Sequence, residues 1–345
     1  MPVDHPESLP AARRPHRPDD RQPSLLEPGA STDPYRLRLY RLLRTDYPLA
    51  YDPGLGAWLL SRYPDVAMAL TDPRFTGYPH DGAPRGPLPA PLGLCRGSVV
   101  CTPLPGDAAA PGPAAARARA IERTAYVLAR RVTRRDRVDL VAEFCRWLPA
   151  GAAAAAGPSR PEPRALPPGA SHPGPGGGTG DCAEHPALRQ RALASFLANM
   201  LDAPDLLAAV RGGPEPAGLL HRAWAETLRR DPPVQIVLRR TRTEVTVSGG
   251  TLPAGEPVAC LIGAAGRDPA RFCAPDRFDP LRADAEPLLT GPAGCPAGLL
   301  GRLEAEHGLR ALLAAMPGIR WAEGFRPVSA GLLTRGPRTL LVRPS

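Results

Sequence analysis

Lysine is absent from the 345 residues, and asparagine occurs only once, at Asn199. All 43 basic residues are therefore arginine, which contributes to a formal net charge of +9. Aromatic residues make up only 5% of the chain, and no basic run is interleaved with them as a nucleic-acid groove requires. We interpret the charge as belonging to a solvated, arginine-rich surface. The preference for arginine over lysine is typical of proteins encoded by GC-rich genomes, and we expect no nucleic-acid partner.

Long apolar runs and paired cysteines are also missing. No segment has the length and hydrophobicity of a membrane span, and none resembles the apolar region of a secretory leader. The seven cysteines include no CxxC pair, which argues against a disulfide framework and against a structural zinc site. These absences predict a soluble, cytoplasmic protein with reduced thiols and no membrane contact.

Proline and glycine are abundant, with 47 and 35 residues, so loops are predicted to form a large part of the chain. Residues 1–32 have no apolar periodicity and are predicted to form a disordered lead. Residues 150–180 are dominated by Ala, Pro and Gly, and they bury too little apolar surface to offset their ordering entropy. We therefore expect a single domain over 33–345, interrupted by a low-complexity linker at about 150–180.

Hydrophobic spacing in the rest of the chain predicts mainly helices, with short strands between them. Helical spacing occurs at 37–44, 65–70, 118–132, 138–148, 186–201, 204–211, 216–230 and 298–315. Strand-like runs occur on both sides of a turn at 52–54, and at 235–239, 244–247, 257–262, 318–322 and 339–343. The predicted fold class is mainly α with small β-sheets.

A Glu-x-x-Arg pair lies in AWAETLRRDPPVQ (223–235), where Glu226 and Arg229 leave the same face of a helix. Alone, such a pair is usually a surface ion pair of little energetic weight. Here it is followed by LRRTRTEVTVSGGTLPAGEPV (238–258), GRDPARFCAPDRFDPLR (266–282) and GPAGCPAGLLGRLEAE (291–306). In this order the segments resemble the cytochrome P450 family, and the resemblance covers roughly 33–75, 118–149 and 186–343.

The resemblance implies a truncated cytochrome P450-like fold and gives roles to individual residues. Arg277 takes the place of the arginine that completes a buried cluster with Glu226 and Arg229. Arg239 takes the place of an arginine that binds a haem propionate. Cys295 takes the place of the thiolate that ligates the haem iron, so haem b is the implied cofactor.

The loop around Cys295 departs from the family pattern. A Phe and a Gly of the family are replaced by Leu288 and Leu289, and a His is replaced by Ala293. Ala297 replaces the Gly two residues after the thiolate. The two glycine losses matter most, because glycine allows the backbone to approach the haem and the sulfur closely.

Three other parts of the implied active site are also altered. By register, the remaining propionate partners fall at about Pro105 and Ala109, within 101–118, where three prolines argue against a helix. The acid–alcohol pair that delivers protons to oxygen falls near Ala187 and Leu188, neither of which carries a transferable proton. The helices that roof the substrate pocket would lie between 150 and 185, where the Ala/Pro/Gly tract stands instead.

Three functions remain open. The first is a non-catalytic accessory protein, similar to the haem-less P450-derived activators that pair with glycosyltransferases in antibiotic biosynthesis. RRTRTEV (239–245) and LLTRGPRTLLV (332–342) look similar to that group, whereas the persistence of Cys295 is a departure from it. The second is a haem-thiolate monooxygenase acting on a small natural product, with Cys295 as axial ligand and a ferredoxin as partner. The third is a decayed product without activity.

Overall fold

The structure is a computed structural model that describes residues 23–27, 29, 33, 35–77, 111–133, 135–155, 186–212, 218–283, 288 and 296–344. Its helices are α1 (Tyr35–Thr45), α2 (Tyr63–Thr71), α3 (Pro111–Val132), α4 (Trp147–Ala155), α5 (Pro186–Leu201), α6 (Pro204–Arg211), α7 (Leu219–Arg230), α8 (Ile262–Ala265) and α9 (Pro296–Ala315). A π-helical turn, Val141–Cys145, precedes α4.

The strands are short and form small sheets. They are β1 (Leu49–Asp52), β2 (Ala57–Leu60), β3 (Phe75–Gly77), β4 (Val138–Asp139), β5 (Ile236–Thr241), β6 (Val245–Val247), β7 (Gly250–Leu252), β8 (Pro257–Leu261), β9 (Arg320–Trp321), β10 (Ser329–Ala330), β11 (Gly336–Pro337) and β12 (Leu341–Arg343). Five of them form one sheet in the order β1-β2-β8-β5-β3, in which β2 and β8 are parallel and the other pairs antiparallel. This sheet is apolar on both faces, and its two faces belong to separate buried clusters that include residues of α1 and α2 respectively.

The larger core lies among the helices. It joins the apolar faces of α3, α5, α7 and α9 with the π-helical turn and α4. α5 is buried from Ala192 to Leu201, where Leu193, Phe196, Leu197 and Met200 recur at helical spacing and each is at most 1% exposed. α5 ends before Pro204, which begins α6, because the proline ring disfavours helical geometry in the residue before it.

The predicted fold class, mainly α with small sheets, is confirmed. The hairpin β1–β2 stands at the predicted turn, and α5, α6 and α7 stand close to their predicted limits. By length and hydropathy, no single described helix could cross a membrane, although the bent pair Ala187–Leu201 and Pro204–Arg211 meets the same criteria when its two parts are taken together.

Three boundary predictions need correction. The lead is not disordered to residue 32, because Leu25 is 1% exposed and its backbone N–H donates to the Asp52 carboxylate at 2.8 Å. The linker does not begin at 150, because α4 continues to Ala155. The prolines of 101–118 do not exclude a helix, since α3 starts at Pro111 and accepts Pro113 in its first turn, where backbone N–H groups have no helical acceptor.

Candidate functional site

Glu226 lies at the centre of a buried ion cluster on α7. Its Oε2 accepts a hydrogen bond from Nε of Arg229 at 2.7 Å, and its Oε1 accepts one from Nη2 of the same residue at 2.8 Å. Oε1 also accepts hydrogen bonds from Nε of Arg282 and from the backbone N–H of Asp279, both at 3.0 Å. The side chains of Glu226 and Arg229 are 0% exposed, and that of Arg282 is 6% exposed. We call these three residues the Glu226 cluster.

Arg229 also fastens α7 to the segment that follows α8. Its Nη1 donates to the carbonyl oxygens of Gly266 at 2.5 Å and Pro275 at 2.9 Å. Its guanidinium carbon lies 5.0 Å from the centre of the Phe272 ring. A larger residue does not fit at Gly266, where a Cβ would lie 2.2 Å from the carbonyl oxygen of Arg229. These contacts are all within the protein, so they stabilise the fold whether or not a cofactor is bound.

The third member of the cluster is Arg282, which corrects the prediction of Arg277. The Arg277 side chain is exposed, and its carbonyl oxygen faces the cluster, 3.4 Å from Nη2 of Arg229 and 3.4 Å from Nη2 of Arg282. The chain turns around the Arg229 guanidinium so that backbone carbonyls point inward at this place. The guanidinium of Arg277 therefore points outward, and the next arginine along the loop reaches Glu226.

Arg239 lies on β5 as a buried cation and is 5% exposed. Its Nη2 donates to the carbonyl oxygen of Leu70 at 2.9 Å, while its Nε has no hydrogen-bond partner in the described ranges. Burial lowers the pKa of Arg239 because desolvation disfavours the charged guanidinium. Among the described residues it forms no ion pair, so an anion such as a haem propionate fits its chemistry.

Most of the other positions implied for haem lie outside the described residues. These are Cys295, Leu289, Ala293, Pro105 and Ala109, and the role of Cys295 as iron ligand stays a prediction. Leu288 is described and packs against the apolar cluster on the sheet face that holds Val258, the strand partner of Arg239. In the described ranges, no group of three or more His, Cys, Asp or Glu side chains could hold a metal ion.

The start of α5 holds the two positions predicted to correspond to the acid–alcohol pair. Ala187 is exposed and Leu188 is partly buried. The next residue, Arg189, is 5% exposed and forms an ion pair with Glu304 of α9, whose side chain is 0% exposed. Nη2 of Arg189 also lies 3.4 Å from the carbonyl oxygen of Pro149 in α4. This buried pair therefore joins the beginning of α5 to α9 and α4.

The negative charge of the Glu304 carboxylate is only partly compensated by its surroundings. Within the described part of the chain, its Oε2 has no hydrogen-bond partner. Burial raises the pKa of Glu304 to about 7, and the charge of Arg189 offsets this only in part. The pair is absent from the residues predicted from the sequence, although one feature pointed to it: Arg189 falls at helical spacing with Leu193 and Phe196, within the apolar stripe of α5.

Comparison with known proteins relates this site to one family. The family model described as cytochrome P450 matches residues 218–286, which contain the Glu226 cluster and Arg239. A curated relative, "Protein DesVIII" of Streptomyces venezuelae, is 45% identical over 133 residues, which are 37% of this chain and 33% of that protein. "Pulcherriminic acid synthase" of Bacillus subtilis is 34% identical over 44% of this chain and 40% of its own length. The matches thus span less than half of either relative.

Solved structures match over a larger part of the chain. The cytochrome P450 enzyme CYP109B1 from Bacillus subtilis superimposes with a TM-score of 0.67, 16% identity and coverage of 91% of this chain and 100% of that one. A structure described as an unusual cytochrome P450-like monooxygenase of microbial secondary metabolism gives a TM-score of 0.71 at 20% identity, with coverage of 91% of this chain and 100% of that one. At these identities the likeness shows the fold.

Proposed function

We propose that this chain is a member of the cytochrome P450 family that acts as a non-catalytic accessory partner of a glycosyltransferase in natural-product biosynthesis. The observation that carries this proposal is the beginning of α5. Counted along the sequence from Pro204, the proton-delivering pair falls near Ala187 and Leu188, which carry no transferable proton. Arg189 beside them is turned into an ion pair with Glu304, away from solvent.

The contrast between retained and altered residues supports the same proposal. The Glu226 cluster is complete and buried, and it stabilises the fold whether or not iron is present. The positions that would act on oxygen at the start of α5 are apolar. Such a contrast is expected where a fold is retained because its surface binds a partner, while its catalytic residues are no longer needed. The resemblance of 239–245 and 332–342 to haem-less activators of glycosyltransferases adds to this support.

A second candidate function is haem-thiolate monooxygenation of a small natural product, and one observation favours it. The buried Nε of Arg239 has no hydrogen-bond partner among the residues that the structure describes, and a haem propionate would satisfy it. Arg239 and Cys295 are the residues that would hold the haem, which supplies thiolate-assisted oxygen activation when bound. The apolar side chains of Ala187 and Leu188 leave this function without its proton donor at the predicted position.

The proposed function is tested by mixing the purified chain with candidate glycosyltransferases taken from the genes nearest to its own. We expect this chain to raise glycosyl transfer severalfold, and a reduced, carbon-monoxide-treated sample of it to lack the Soret band typical of haem-thiolate proteins. No stimulation together with a full Soret band would contradict the proposal and favour the monooxygenase. Cys295→Ala should then abolish the band. Absence of both the stimulation and the Soret band would indicate a decayed product.

Arg239 gives a second way to separate the two functions. Without a bound anion, Arg239→Met is expected to leave the free energy of unfolding unchanged or to raise it by about 1 kcal/mol, because it removes a buried, unpaired charge. Urea denaturation of the two proteins at neutral pH measures this difference. A clear loss of stability, accompanied by loss of haem from the preparation, would show that Arg239 has an anionic partner and would support the monooxygenase.

A further inference from the structure

The exposed side of α3 carries one continuous stripe of arginine and large apolar side chains. Arg119, Arg123, Tyr126, Val127 and Arg130 recur at the spacing of a single helix face, and all five are exposed. The opposite side of α3 packs into the helical core. The stripe is thus a surface feature of a firmly anchored helix.

Trp147 extends this stripe onto α4. Gly151 of α4 lies against Thr124 of α3, since a Cβ at Gly151 would be 2.9 Å from Cγ2 of Thr124. Trp147 stands one turn before Gly151 on the same side of α4, and Val127 stands about one turn after Thr124 on α3. Trp147 is 51% exposed and Val127 is 52% exposed. We define the α3–α4 surface as Arg119, Arg123, Tyr126, Val127, Arg130 and Trp147.

The charge of this surface is strongly one-sided. α3 contains five arginines and a single carboxylate, that of Glu122. Arg119, Arg123 and Arg130 form no ion pair within the described ranges. Their positive charges are therefore available to carboxylates of another molecule, and they surround apolar side chains that water solvates poorly.

We propose that the α3–α4 surface is the docking site for the glycosyltransferase, which would present an apolar patch rimmed by carboxylates. The assignment rests on the proposed function, which requires a protein partner. Tryptophan, tyrosine and arginine are the residue types that contribute most to binding energy in protein interfaces, and this surface presents all three. The arginines, which have no ion pair in the part of the chain that the structure describes, select an acidic partner and accelerate its association.

Two variants test the docking site, Trp147→Ala and the double variant Arg123→Glu/Arg130→Glu. Binding of the full-length chain to the glycosyltransferase that it activates is measured by titration calorimetry at low and high salt. We expect each variant to bind at least about 30-fold more weakly than wild type. The double variant should also lose most of the salt dependence of association, because the reversed charges no longer attract the carboxylates.

The matched controls are Val328→Ala and Arg38→Glu/Arg326→Glu, which make comparable changes at exposed residues of other surfaces. These controls should bind within about 2-fold of wild type, and all variants should keep the wild-type melting temperature. Wild-type binding that persists in Trp147→Ala and in the double variant would overturn the docking site while the proposed function stands. Failure of wild type to bind the glycosyltransferase would overturn both. Binding of a ferredoxin instead, lost in the same variants, would overturn the assigned occupant.

Discussion

Glu226→Ala is expected to lower the free energy of unfolding by about 3–5 kcal/mol. The substitution leaves Arg229 and Arg282 positively charged beside each other, with side chains that are 0% and 6% exposed. It also removes the acceptor of the Asp279 backbone N–H, so the loop after α8 loses an anchor on α7. Urea denaturation of wild type and variant at neutral pH measures the difference, and wild-type stability would show that the cluster is not buried in solution.

Arg282 and Arg277 provide a matched pair for the same cluster. Arg282→Ala is expected to lower the free energy of unfolding by about 3 kcal/mol or more, because it removes a counter-charge from a buried carboxylate. Arg277→Ala should change it by less than about 0.5 kcal/mol, since that side chain is exposed. Equal losses in the two variants would contradict the structure and restore Arg277 as the partner of Glu226.

Local features of this molecule could be predicted from the sequence with good accuracy. The spacing of Glu226 and Arg229 places both side chains on one face of α7, and helix geometry alone guarantees this. Pro204 ends α5 and begins α6 through the geometry of its own ring. The hairpin β1–β2 follows from the turn residues between two apolar runs. Each of these predictions depends on neighbours within a few residues.

Features that depend on the path of a loop could not be predicted in the same way. Arg277 and Arg282 are separated by five positions, and the choice between them follows from how the segment wraps around Arg229. Leu25 is ordered by the carboxylate of Asp52, which is 27 positions away. Composition alone predicted disorder there, because composition contains no information on distant partners.

The ion pair of Arg189 and Glu304 joins residues 115 positions apart, and its contribution to stability is expected to depend on pH. Arg189→Met should lower the free energy of unfolding by about 2–3 kcal/mol at pH of about 8, because a buried Glu304 without its counter-charge must either ionise at high cost or keep a proton that the unfolded chain has released. At pH of about 5 the loss should be small, roughly 1 kcal/mol, because a protonated Glu304 carries no charge to be stranded. Urea denaturation at the two pH values measures the difference.

The sign of this pH dependence follows from the pKa of Glu304. Burial raises that pKa from 4.5 to about 7, so the folded chain holds a proton that the unfolded chain releases at lower pH. The contribution is fully present below the unfolded value and is lost as pH rises through about 7. In wild type this loss is on the order of 3 kcal/mol, from 2.5 pKa units at about 1.4 kcal/mol each. In Arg189→Met it is larger, since the arginine no longer lowers the pKa.

Two variants control the interpretation. Glu304→Gln should flatten the dependence of stability on pH, because it replaces the carboxyl group with an amide of similar size that does not titrate. Arg191→Met changes a partly exposed arginine two residues further along α5, and its effect should be the same at both pH values. An equal loss at the two pH values in Arg189→Met would mean that Glu304 stays ionised throughout. The beginning of α5 would then be held by a permanent ion pair rather than by one whose strength depends on protonation.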